Sequence, residues 1–235
     1  MTASRARRLW KALVDNASRL IADAHALLED SPGRARSLTV LAQEELGKAL
    51  WIYDEFHVAW NSGVDEERTV EALQRHGRDH TRKYFEAVVF GDTLAKFWGD
   101  YSNLPRPAEG ESWEQFAGRR LDDTESAAKA ANLAKQRGFY VDVDAAGVIS
   151  CPADVDPGDV GEDLERAAQV IEMLLIRDHS RMKFESKVAY DSTLDQQFRL
   201  LPVSHPKEFG DWLARGGDPI DADGDPEDDA DDDGT

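Results

Sequence analysis

Apolar residues recur at three- and four-residue intervals through most of this chain, and strict alternation occurs at only one short place. A period near 3.6 gathers such residues on one side of a helix, so the pattern predicts an all-α fold. The first helix is expected from about Ser4 to Glu29, with Leu9, Leu13, Ala17, Leu20, Ala24 and Leu27 as its stripe, and Ser31-Pro32-Gly33 ends it. Further helices are predicted over 34–60, 66–98, 113–137 and 156–189, with Pro105 and Pro107 forcing a loop over 99–112. The exception is Phe139-Tyr140-Val141-Asp142-Val143, then Asp144-Ala145-Ala146-Gly147, then Val148-Ile149-Ser150, which reads as a small β-hairpin. Beyond Ser192 the chain is expected to be partly helical, packing through Phe198, Leu200, Leu201, Phe209 and Trp212.

Composition narrows the class. The chain has 235 residues, 41% of them apolar, which suffices for a buried core. Its formal net charge of −19 argues against passive binding to nucleic acid or to an anionic membrane. Ten of the acids lie between Asp218 and Thr235, where there is no Lys or Arg, so this tail is expected to stay disordered. The expected organisation is a helical domain over 1–200, a packing segment over 201–217 and the acidic tail over 218–235. Cys151 is the sole cysteine, which excludes an intramolecular disulfide and a thiolate zinc site and fits a reducing, cytoplasmic setting. No run approaches the roughly 18 apolar residues of a membrane span. The basic residues Arg5, Arg7 and Arg8 are followed by charges, not by the apolar core of a signal peptide.

Polar residues that interrupt the apolar faces are the candidates for chemistry. On the second helix Leu38, Leu41, Ala42, Ala49, Ile52 and Phe56 all fall within about 60° of Glu45, which predicts a carboxylate in mid-stripe. Such a group needs a partner, and Lys48, one turn on, can supply it. Glu44 is expected at the border of the stripe. On the third helix His80 shares its face with Leu73, Gly77, Tyr84, Ala87, Leu94 and Trp98, and Lys83 borders it. Asn16 takes the corresponding place on the first helix, with Asp23 at the edge. These groups are expected to converge where the three faces meet. Arg75, four residues before His80 by intervening count, adds a guanidinium suited to a phosphate, and histidine exchanges protons near neutral pH. On an unbroken helix Arg75 points about 140° away from His80, so both reach one phosphate only if Gly77 loosens the turn or a second subunit contributes.

Other constellations are set aside. There is no inward Glu-x-x-His pair, no Gly-rich phosphate loop and no His-Glu-x-x-His, so neither a metal nor a cofactor is expected. Arg177-Asp178-His179-Ser180-Arg181 reads as solvated surface.

Asn16-Ala17, Asp23-Ala24, Leu41-Ala42-Gln43-Glu44-Glu45-Leu46-Gly47-Lys48-Ala49, Arg78-Asp79-His80 with Lys83, and Arg137-Gly138-Phe139-Tyr140-Val141-Asp142-Val143 together resemble the AbiV abortive-infection family, over roughly residues 9–185. That resemblance implies the HEPN (higher eukaryotes and prokaryotes nucleotide-binding) superfamily of antiparallel helical bundles. Many of its members are metal-independent endoribonucleases that work as dimers and bring two Arg-x4-6-His motifs together. Arg75 to His80 matches that spacing. Arg78-Asp79-His80 aligns with the family's His-x-x-Lys motif, so either arginine is open as the partner of His80. The function so implied is an antiphage effector, a homodimer that cleaves RNA to arrest growth and answers to a phage-encoded activator or an inhibitory partner. Its catalytic residues would be Arg75 and His80. Glu45 and Lys48 would orient His80, Lys83 would steer the phosphate, and Glu44, Arg78 and Asn16 would shape the site. The alternative is a non-catalytic helical dimer that senses or sequesters a phage or host protein, with the polar cluster as structural glue.

Overall fold

The computed structural model describes residues 1–102 and 104–216. Two long helices, α1 (Ala3–Leu27) and α2 (Pro32–Ser62), form a hairpin, and α7 (Pro157–Phe184) packs against both. Local chemistry sets their ends. The Thr2 side chain accepts from the Arg5 N–H at the start of α1, and Pro32 opens α2, where its missing N–H costs nothing. Gly63 closes α2 at φ 71°, a left-handed conformation that glycine adopts without strain. The core lies where the three helices meet. Trp10, Val14 and Ile21 of α1, Leu46, Ile52 and Phe56 of α2, and Leu164, Ile171, Leu174 and Leu175 of α7 are all buried.

Shorter elements surround this core. They are α3 (Glu71–His76), α4 (His80–Gly91), α5 (Leu94–Phe97), α8 (Leu194–Ser204) and α9 (Pro206–Ala214). Leu200 buries α8 against α1 and α7. Because α8 runs unbroken past position 200, the expected boundary there falls inside a helix. The helix α6 (Trp113–Arg137) has the bounds the sequence predicts, since Ser112 and Gln115 form a reciprocal capping box at its start. It packs on α2 and α4 by one side and exposes most of the rest. The predicted hairpin is present as β1 (Asp142–Val143) and β2 (Ile149–Ser150), antiparallel, pairing Asp142 with Ser150 and Val143 with Ile149. Asp144 Oδ1 accepts from the Ala146 and Val148 N–H groups, and Gly147 takes the left-handed position of the turn.

Four expectations are corrected. The single helix over 66–98 is three helices: Asp79 leaves helical geometry and its carboxylate accepts from the Arg82 N–H, separating α3 from α4, and a second break at Asp92-Thr93 separates α4 from α5. Asn16 is exposed, as is Asp23; the polar residues that α1 turns toward its neighbours include Asp15 and Ser18, which Arg199 of α8 reaches at 3.0 and 2.6 Å. The last long helix stops at Phe184, after which the Lys187 N–H donates to the Asn61 carbonyl. Asp178 and Arg181 are buried, not solvated: Arg7 of α1 donates to Asp178 at 2.9 Å, Arg181 also binds Asp178, and Arg181 Nη1 donates to Asn61 at 2.6 Å. The acidic tail lies outside the described residues. Among those described, no helix is long and apolar enough to cross a membrane.

Candidate functional site

The second helix carries the site because it is packed on more than one side. One face meets α1, and the face carrying Ser37, Val40, Glu44 and Gly47 meets α4 and α6. Small residues let the neighbours close in. A Cβ at Gly47 would overlap the Lys83 carbonyl oxygen, so glycine is required for α4 to lie against α2 at this height. At the other contact a Cβ at Gly138 would overlap the Gly33 carbonyl oxygen and the Ser37 hydroxyl. Ser37 Oγ sits 3.0 Å from the Gly33 carbonyl and 2.8 Å from that of Lys135, its hydrogen shared between them. These two seams fix the last turn of α6 and the first turn of α4 on either side of Glu44.

Glu44 is the centre of the resulting cluster. It is only 2% exposed, and three cations or potential cations converge on it. Lys135 Nζ donates to Oε1 at 2.5 Å, His80 Nδ1 lies 2.6 Å from Oε2, and Lys83 Nζ lies 3.2 Å from Oε2. Burial pushes the Glu44 carboxyl up, but hydrogen bonds from Lys135 and His80 and the charges of Lys135 and Lys83 outweigh it and hold the carboxyl below its ordinary value. Glu44 is therefore a carboxylate, and a carboxylate only accepts, so Nδ1 of His80 must carry a hydrogen. In its neutral form the imidazole then presents a lone pair on Nε2. Lys83 and Lys135 are 5% and 8% exposed, so two buried ammonium ions share one carboxylate and the cluster keeps a surplus positive charge.

One side of this cluster opens to solvent. The His80 side chain is 52% exposed and lines a cleft of about 580 Å³ together with Leu41, Asn132, Leu133, Lys135, Gln136, Arg137, Phe139, Tyr140 and one carboxylate, Asp142. The arrangement can exchange a proton at Nε2 and attract an anion to the same place. Among the described residues no three His, Cys, Asp or Glu side chains gather as metal ligands would.

The structure thus sorts the residues singled out from sequence. Glu44, His80 and Lys83 come together. Glu45 does not join them: it pairs with Lys48 at 2.6 Å, both about one-fifth exposed, on the partly buried row that also holds Leu38 and Leu41. The expectation that Glu45 is the buried carboxylate and orients His80 is corrected to Glu44. Large apolar residues mark the rim of the cleft here, while the tightest seam is made of small residues and one charge. Arg75 lies on α3, is largely exposed and pairs with Glu71 at 2.9 Å, and neither it nor the exposed Arg78 lines the cleft. Asn16, on α1, is no part of it. Two residues that sequence reasoning did not select are Lys135, the second buried lysine, and Arg137, the arginine that does line the cleft. Their signal was present in Lys135-Gln136-Arg137-Gly138, where a helix ends at a glycine directly before the hairpin.

No curated protein and no solved structure matches the chain. The family model of AbiV, a HEPN model, matches residues 5–172, which runs from the first turn of α1 into α7 and takes in every member of the Glu44 cluster. A match over well more than half of the sequence, on an all-helical scaffold with a small hairpin, leaves one conclusion: this chain belongs to the AbiV family of abortive-infection HEPN proteins.

Proposed function

We propose that this effector is a metal-independent endoribonuclease acting as a homodimer, with His80 as its proton-exchanging group. The supporting observation is that Glu44, itself buried, holds Nδ1 of His80 while the rest of the ring stands in an open cleft where Lys135 and Arg137 outnumber the one carboxylate, Asp142. In this chemistry the ribose 2′-oxygen attacks the adjacent phosphorus, its proton passes to Nε2, and the bond to the 5′-oxygen breaks as the imidazolium so formed returns that proton to the leaving oxygen. The products are a 2′,3′-cyclic phosphate and a 5′-hydroxyl. Glu44 keeps the imidazole in one tautomer and stabilises its protonated form. The surplus charge of Lys83 and Lys135, with Arg137 at the cleft, favours the extra negative charge that develops on the phosphorane. Arg75 or Arg78 of a second copy would add to it, since neither reaches the cleft of its own chain. The trigger would be a phage-encoded activator or release from an inhibitory partner.

A second reading, a non-catalytic dimer that senses or sequesters another protein, is favoured by the burial of Glu44, Lys83 and Lys135, as in a structural ion cluster. His80→Ala separates the two. On the ribonuclease reading it lowers metal-free cleavage by roughly 100- to 10,000-fold, and the melting temperature barely moves, because Glu44 keeps both lysines. Unchanged cleavage, or absence of cyclic phosphate ends on RNA treated with the wild-type protein, would sink the ribonuclease proposal.

A further inference from the structure

The chemistry just proposed uses only the polar wall of the cleft. The same cleft also has an aromatic part. Phe139 and Tyr140 line the cleft and are 41% and 68% exposed, and neither ring is paired with another aromatic ring among the described residues. Packing does not account for two aromatic side chains left so bare.

Their backbone, by contrast, is fixed. The N–H groups of Phe139 and Tyr140 both reach the Gln136 carbonyl at 3.1 Å, and Gly138 just before them is seated against Gly33 and Ser37 with no room for a side chain. The same turn of α6 supplies Lys135, which binds Glu44, which holds His80. The rings and the imidazole are thus referred to one carboxylate. In the same cleft Asn132 and Gln136 offer amides, and Arg137 a guanidinium that makes no ion pair among the described residues. Flat apolar faces, amides that can read a base edge and a cation for phosphate are the parts that recognise an unpaired nucleotide. The cleft volume of about 580 Å³ suits a ligand of that size. An apolar protein segment would fit poorly, since seating it there would bury Arg137 and the surplus lysine charge without compensation.

We propose that Phe139 and Tyr140 are the base-stacking wall of the cleft, selecting an unpaired nucleobase beside the phosphate that faces His80. This rests on the reading of the cleft as an RNA site. A duplex stacks its bases on one another and leaves no free face for the rings, so the wall rejects it.

The test measures binding, not turnover. The full-length protein is titrated into a fluorescein-labelled, 2′-O-methyl 12-nucleotide single strand, which has no attacking hydroxyl, and into the matching duplex. Tyr140→Ala and Phe139→Ala should each weaken single-strand binding roughly 5- to 150-fold. Tyr140→Trp should preserve it, Tyr140→Leu should not, and the duplex should bind more weakly than the single strand. Equal affinity of the Ala and Leu variants with wild type, duplex binding as tight as single-strand binding, or no binding at all would overturn the proposal. So would a change of oligomeric state in Tyr140→Ala that accounts for its lost affinity, since the ring would then be a contact between copies. Cleavage that persists in His80→Ala while binding still depends on Tyr140 would overturn the catalytic reading and leave this one standing.

Discussion

Replacing Glu44 with glutamine keeps the size of the side chain and removes its charge. Lys83 and Lys135, 5% and 8% exposed, then lose the carboxylate they share. Removing one partner of a buried ion pair costs about 3–5 kcal/mol. Lys135 borders the cleft, and its flexible stem lets the ammonium turn toward water, so the lower figure of about 3 kcal/mol applies. In a chain of this length about 1 kcal/mol moves the melting temperature by about 2–4 °C, which places Glu44→Gln roughly 6–12 °C below the parent at neutral pH. Glu45→Gln is the control. Its ion pair with Lys48 is one-fifth exposed, and a pair of that kind contributes at most about 1 kcal/mol. Adding Lys83→Met to Glu44→Gln removes one of the two stranded cations and should recover part of the loss. Thermal melts followed by far-ultraviolet circular dichroism decide the matter. A Glu44→Gln protein that melts with the parent, or a Glu45→Gln protein destabilised as much as Glu44→Gln, would refute the assignment of the cluster to Glu44.

The same carboxylates set the response to acid. Glu44 is held low against its burial by Lys135, His80 and Lys83, and Asp15 is drawn down to about 2, chiefly by the hydrogen bond from Arg19 and further by Arg199. The unfolded chain takes up these protons first, at its ordinary values of about 4, so their stabilisation is complete above that range and is lost as pH falls through the lowered folded values. Urea midpoints should drop between about pH 5 and pH 2, less steeply in Glu44→Gln; an identical acid slope in variant and parent would contradict this. Gly47→Ala should push α4 off α2 and reduce both stability and RNA cleavage, by more than the roughly 1 kcal/mol typical of a point mutation; an alanine variant with parental melting and activity would show that the seam is not tight.

Much of the scaffold was legible in the residue order. The bounds of α6 and the hairpin are legible in the helical spacing after the proline-rich loop and in one short alternation, all of them local signals that the Ser112 cap reinforces. The apolar set of α7, including Leu164, Ile171, Leu174 and Leu175, was legible because large residues there do face the core. The candidate site was half legible. His80 and Lys83 stood out as polar groups on an apolar helix. Periodicity points to Glu45 and not Glu44 because it lets large apolar residues mark the inward side of α2, whereas Ser37 and Gly47 mark the closest approach. Asp79 fits the spacing of one long helix, although its carboxylate serves as a cap. Lys135 and Asp178 could not be foreseen from periodicity, since their burial depends on partners 91 and 171 residues away along the chain.

The surplus cation of the cleft sits in a chain whose formal net charge is −19. A polyanion therefore meets repulsion on its approach and attraction only within about a Debye length of the opening, ~10 Å at 0.1 M salt. Added salt mutes the longer-ranged repulsion before it weakens the contact, so capture should quicken at modest ionic strength before it declines. A protein with a basic surface shows only the decline. Such a field admits the loose end of a slender strand more readily than a long stiff rod, whose length stays outside in the repulsive zone.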